Sequence, residues 1–111
     1  MRALLILPAL LTLASCDTPM GTDLARTQAK STVNKVVEKR APGVDATPVT
    51  DCIIDNATGS EIVKIAADGV TGTVSADTTN LVIEIARRQG TIECLVNNVG
   101  PLVVARVAAG M

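Results

Sequence analysis

From residue 25 onward, apolar residues recur at helical spacing. Ala25, Ala29, Val33, Val36 and Val37 fall on one face, while Lys30, Lys35, Lys39 and Arg40 lie mostly elsewhere. Thr22 and Asp23 suit the start of this helix, and Lys39 and Arg40 suit its negative end. Pro42 and Gly43 predict a stop near Arg40. Thr47-Pro48 predicts a second start, a cap followed by proline at the first helical position, with Val49, Cys52, Ile53 and Ala57 on one face. Thr58 and Glu61 have capping-box spacing and open a third helix that turns Ile62, Ile65 and Ala66 inward and closes at Gly69. Residues 70–76, VTGTVSA, read as a connector or a short extended piece. A fourth helix starts at Asp77 or Thr78, buries Leu81, Val82, Ile85 and Ala86, and ends at Gly90. Thr91 caps a fifth, which carries Cys94, Leu95 and Val99. Gly100-Pro101 breaks it, and the tail LVVARVAAGM reads as a last helix or as a disordered end.

An internal echo favours the helix. Shifted by 42 positions, CIIDNATGSEIVKIAA (52–67) lies over CLVNNVGPLVVARVAA (94–109), with four identities and six conservative pairs, Lys64 over Arg106 among them. The pattern describes two similar helix–turn–helix units. Chance likeness between Val/Ile/Ala-rich helices would give the same echo, and two copies alone do not separate the readings.

The first fifteen residues break from this pattern. Arg2 is a positive start, residues 3–13 are an apolar run, and small residues lead into Cys16. This is the layout of a secretory signal peptide, too short for a membrane-spanning helix, which needs about 20 apolar residues. The segment 13–16, LASC, resembles the lipobox of bacterial lipoproteins. That resemblance implies diacylglycerol on the Cys16 thiol, cleavage before it, and a protein held on a membrane of the bacterial cell envelope, facing the periplasm. Ordinary cleavage after Ala14 or Ser15, leaving Cys16 a plain residue, is the competing reading. Asp17 occupies the position at which some bacteria sort lipoproteins between membranes. Residues 16–23 then form a lipidated tether, and 24–111 one small helical domain.

Composition removes much chemistry. The chain of 111 residues has no His, Phe, Tyr or Trp, and its net charge is −1. Without histidine it lacks the usual general base, zinc ligand and haem ligand. Without a basic stripe or stacking aromatics it does not suit nucleic acid. If Cys16 carries lipid, Cys52 and Cys94 remain, and an even pair in an exported small domain reads as one disulfide. They have no CxxC spacing to suggest metal or redox chemistry. Asp51 and Asp55 share a helix face, which reads as solvated rather than catalytic. Residues 55–59, DNATG, lack the alternating ligands and closing glutamate of a calcium loop. Asn56-Ala57-Thr58 matches a glycosylation triplet that bacteria normally leave unread. Ser31, Ser60 and Ser75 have no histidine base. Capping accounts for Glu61, and the helix dipole for Arg87 and Arg88.

Residues 13–16, 30–37 (KSTVNKVV), 51–54 (DCII) and 91–95 (TIECL) are also similar to a group of very short bacterial lipoproteins. Some of those are associated with succinate dehydrogenase. The flavin-linking histidine, cysteine-rich iron–sulfur pattern and haem histidines of that activity are absent here.

The expectation is therefore an all-α protein of about five short helices with one disulfide, after a cleaved signal peptide. No catalytic, cofactor or metal site is expected. Its work would be binding or supporting an envelope protein partner, with Lys30, Lys35, Lys39 and Arg40 as the contact. A carrier of a small apolar ligand or lipid is the alternative, and would need an apolar cavity of several hundred Å³. The mature protein isolated from its envelope should lack residues 1–15 and carry acyl mass on Cys16 by intact-mass analysis. A soluble, unmodified mature chain would refute the lipid anchor.

Overall fold

The computed structural model describes residues 19–110, with side chains from Asp23, so Cys16 and the expected signal peptide lie outside the described residues. Within them run six helices and no strand: α1 (Pro19–Arg40), α2 (Ala46–Asp55), α3 (Gly59–Gly69), α4 (Ala76–Ala86), α5 (Gln89–Asn98) and α6 (Pro101–Gly110). The tail that could be read as disordered is a sixth helix.

Helix α1 runs back to Pro19, into the segment expected to be a tether, with proline at the first helical position, where its missing N–H is not needed. Asp45, not Thr47, caps α2 by accepting the Thr47 N–H at 3.3 Å. Pro48 then falls in the first turn, which requires no donor. Thr58 and Glu61 form the expected capping box on α3. Ser75, not Asp77 or Thr78, caps α4 by accepting from Thr78 N–H at 3.2 Å.

The fifth start differs most. Arg88 is the N-cap of α5, and Gly90 lies inside its first turn. Thr91 is fully buried, and its hydroxyl donates to the Ile85 carbonyl at 2.7 Å instead of capping. Gly90 does not end a helix. A Cβ there would run into Asn56 Oδ1, so it marks a close approach. Gly100, with φ +91°, sits in the left-handed region that turns the chain from α5 into α6, and its N–H reaches Leu95 O at 3.1 Å.

Helix α1 is the cover of the molecule. Its Ala29, Val33, Val36 and Val37 are buried, chiefly against α3 and then α2. They meet Val49, Ile53 and Ile54 of α2 and Ile62, Ile65 and Ala66 of α3 in one core, with Val82 and Ile85 of α4, Leu95 of α5 and Val107 of α6. Contact with α3 is close because Gly69 stands where a Cβ would collide with Thr32 Oγ1. Thr32 is itself buried, and its hydroxyl donates to Gln28 O at 3.2 Å.

Helices α2 and α5 pack side by side. Cys52 and Cys94 stand at disulfide distance there, with Sγ atoms 2.03 Å and Cα atoms 5.6 Å apart. The 42-residue echo is structural as well: α2–α3 and α5–α6 are both helix–turn–helix units, each with its cysteine on its first helix. In both, the asparagine four residues after the cysteine donates from Nδ2 to the cysteine carbonyl at 2.8 Å (Asn56 to Cys52, Asn98 to Cys94).

A cross-link across 42 positions constrains the unfolded chain by about 4 kcal/mol in the loop-entropy account. Denaturant unfolding of a Cys52→Ala/Cys94→Ala variant should show a loss of about that size. Equal stability with and without the cross-link would remove its structural role.

Candidate functional site: a basic cleft at the end of the first helix

Lys35, Val36, Lys39 and Arg40 stand at i, i+1, i+4 and i+5, which places them on one face of the C-terminal end of α1. They form one wall of a cleft of about 290 Å³. The other wall is Gly72, Thr73 and Val74, from the α3–α4 connection, with Thr79 of α4. Val36 is buried and Val74 half-buried, while the three cations are exposed at the rim.

The facing wall is held by local hydrogen bonds. Gly72 adopts φ +81°, which the reversal of the chain requires there. Asp68 closes the turn by accepting the Ser75 N–H at 2.8 Å, and this bond holds its carboxyl below the ordinary carboxylate value. The Thr71 hydroxyl donates to Asp68 O at 2.8 Å. The Thr79 hydroxyl donates to Ser75 O at 3.0 Å, so its proton is already engaged. The cleft's positive charge therefore comes from the α1 side chains. Neither Glu38 nor Asp77, the nearest carboxylates in sequence, lines it.

Of the four cations expected to form a contact, Lys35, Lys39 and Arg40 come together here. Lys30 does not: its Nζ lies 3.0 Å from Asp51 Oδ1. One turn earlier, Arg26 Nη2 lies 2.6 Å from Asp55 Oδ1. Asp51 and Asp55 thus tie α2 to α1 rather than forming a purely solvated face. A hydrogen bond from the Thr50 hydroxyl to Asn34 Oδ1 supplements these ties.

Arg88 also has a role that dipole complementarity did not describe. Its guanidinium donates to both carboxylate oxygens of Glu61, at 2.8 and 2.7 Å, and to the Asn56 carbonyl at 2.9 Å. Glu61 meanwhile accepts the Thr58 N–H at 2.8 Å. One carboxylate both caps α3 and binds the residue that opens α5. Ser75 is a cap, and Ser60 Oγ lies 3.3 Å from Thr58 Oγ1. Among the described residues no three His, Cys, Asp or Glu gather as metal ligands, and no helix is long and apolar enough to cross a membrane.

A connector reading of residues 70–76 gave no sign of Gly72 and Thr73 as a cleft wall. The Gly72 turn was the only hint, since what they face lies more than thirty residues earlier in the chain. No known protein family, curated protein or solved structure matches the chain.

The Arg88 hydrogen bonds, then that from Thr58, hold Glu61 at about 2, below its ordinary 4.5. Because the folded value is the lower one, this contribution is complete above pH 4.5 and fades as pH falls toward 2. Glu61→Gln should cost about 1–3 kcal/mol near neutral pH. The gap between variant and wild type should close across that acid range in denaturant titrations. A gap independent of pH would show that the charge on Glu61 is not what makes the Arg88–Glu61 strut between α3 and α5 stabilising.

Proposed function

We propose that this is a lipid-anchored bacterial envelope protein, facing the periplasm, that binds another envelope component without catalysing a reaction. Cys16 is the anchor, and the basic end of α1 is the contact. The observation that carries this reading is the gathering of Lys35, Lys39 and Arg40 on one cleft, while Arg26, Lys30 and Arg88 are engaged in ion pairs within the fold. A cleft with this rim favours an acidic group on the partner.

The position suits an anchored protein. At 1.5 Å per residue, α1 places Lys39 about 30 Å from Pro19, which is the end nearest Cys16. The length of α1 sets an upper bound of about 30 Å on the distance it adds between the anchor side and the contact. The Cys52–Cys94 disulfide belongs to the same reading, because an exported compartment favours its formation.

The carrier reading fits less well. The apolar pocket formed by Ile92, Leu95, Val104, Val107 and Ala108, with Ala86 and Arg87, holds about 100 Å³. Small-ligand sites generally offer about 300–1,000 Å³.

Mild cross-linking in native membranes followed by affinity capture tests the proposal. A Lys35→Gln/Lys39→Gln/Arg40→Gln variant should recover several-fold less of the component captured by wild type. It should keep its unfolding midpoint, because exposed charges contribute about 0–1 kcal/mol. Lys30→Gln should leave capture unchanged. Undiminished capture by the triple variant would overturn the assignment of the contact. Turnover of a substrate that is abolished by substitution of Asp51 or Asp55 would overturn the non-enzymatic reading.

A further inference from the structure

The lining of the basic cleft is rich in hydrogen-bond donors and poor in acceptors. Lys35, Lys39 and Arg40 stand along one wall, and an ammonium or guanidinium group can only donate. On the facing wall Thr73 is exposed. Its carbonyl accepts from the Thr71 hydroxyl at 3.1 Å, while its own N–H and hydroxyl make no hydrogen bond with a described residue. No carboxylate lines the cleft, and Val36 and Val74 supply its apolar surface.

Folding does not account for this set of charges. Arg26, Lys30 and Arg88 each have a carboxylate oxygen within reach, at 2.6, 3.0 and 2.7 Å. Lys35, Lys39 and Arg40 have none among the described residues. The helix dipole favours cations in the last turn of α1, where Lys39 and Arg40 lie, but Lys35 stands before that turn. Lys35 and Lys39 are also four residues apart on one helix face, where like charges repel and destabilise the helix. The protein thus holds three cations on one cleft at a cost to α1, and the fold supplies no counter-charge.

We propose that this cleft binds a terminal phosphate monoester. The proposal rests on the reading of the cleft as the contact and specifies the acidic group that enters it. Near neutral pH a monoester carries a charge of about −1.5 to −2 and presents three acceptor oxygens. A carboxylate offers one charge and two oxygens. The planar fork of Arg40 suits two phosphate oxygens at once, and Lys35 and Lys39 act as point charges beside it. Thr73 adds neutral donors from the other wall. The cleft, at about 290 Å³, has room for the phosphate and a short carbon chain lying against Val74. That is the lower end of the range of about 300–1,000 Å³ that small-ligand sites occupy.

The probe is glycerol 3-phosphate, titrated into the isotopically labelled full chain in a non-ionic detergent. It should give saturable amide shifts at Lys39, Arg40, Gly72 and Thr73, and bind at least fivefold more tightly than malonate, whose similar charge is divided between two carboxylates. Lys35→Gln and Arg40→Gln should each weaken binding several-fold with an unchanged unfolding midpoint, and Lys30→Gln should leave it unaltered. Vesicles containing phosphatidic acid distinguish the sources of the group. Competition by them, but not by phosphatidylcholine vesicles, assigns a lipid headgroup, and its absence assigns a soluble ester; both results support the phosphate site. No saturable shift at millimolar ester, equal affinity for malonate, or binding indifferent to Lys35→Gln and Arg40→Gln would overturn it. The two readings of the cleft fail separately. Cross-linked capture that depends on the three cations, without phosphate binding, keeps the contact and removes the phosphate. Phosphate binding with undiminished capture by the triple variant keeps the phosphate site and removes the protein contact.

Discussion

Without a single aromatic ring, this chain can close a core only by bringing its helices near one another, because Val, Ile, Leu and Ala reach less far than Phe or Trp. The contact between α1 and α3 shows how this is done. Gly69 removes the side chain that would otherwise strike Thr32, and Thr32 satisfies its hydroxyl on its own helix, so a polar residue can be buried at the seam. Gly90 against Asn56 repeats the device between α5 and the end of α2. Tight seams of small residues tolerate little added volume, since overpacking costs about 1–3 kcal/mol.

Fixing α1 also organises the charges. Arg26 and Lys30, ahead of its basic end, are drawn to Asp55 and Asp51 because α2 runs beside them. Beyond residue 34 the helix passes α2's acidic residues and meets the α3–α4 connection, which presents Gly72, Thr73 and Val74 and no carboxylate at the cleft. The division of α1 into an internally paired half and an outward-facing basic end follows from which element lies beside each half. The same helix therefore acts as structural cover and as the bearer of the proposed contact.

The sequence made the helices legible wherever periodicity and a local cap agreed. Ile62, Ile65 and Ala66 with the Thr58–Glu61 box needed only neighbouring residues to be read, and all three are buried. Starts were misread where a stronger cap lay just upstream, as with Asp45 and Ser75, or where tertiary contact changed a residue's role. Thr91 has the identity of a cap, but its position beneath α4 gives its hydroxyl the Ile85 carbonyl. The cationic wall of the cleft was visible as Lys35, Lys39 and Arg40. Its opposite wall was not, and neither was the Arg88–Glu61 strut, whose partners lie 27 residues apart. Spacing along a chain predicts neighbours on one helix, while neighbours across helices depend on the packing that the sequence pattern does not state.

The echo between the two units explains why the cysteines stand where they do. The first unit is secured by α1, which buries six residues of α2 and three of α3 with the rest of the core. The second unit buries only Thr91 and Leu95 on α5 and Val107 on α6. At about 25 cal/mol per Å² of apolar surface, so small a contribution holds two helices weakly. Cys94 lies on α5 and Cys52 on the well-buried α2, so the cross-link fastens the weakly covered unit to the strongly covered one.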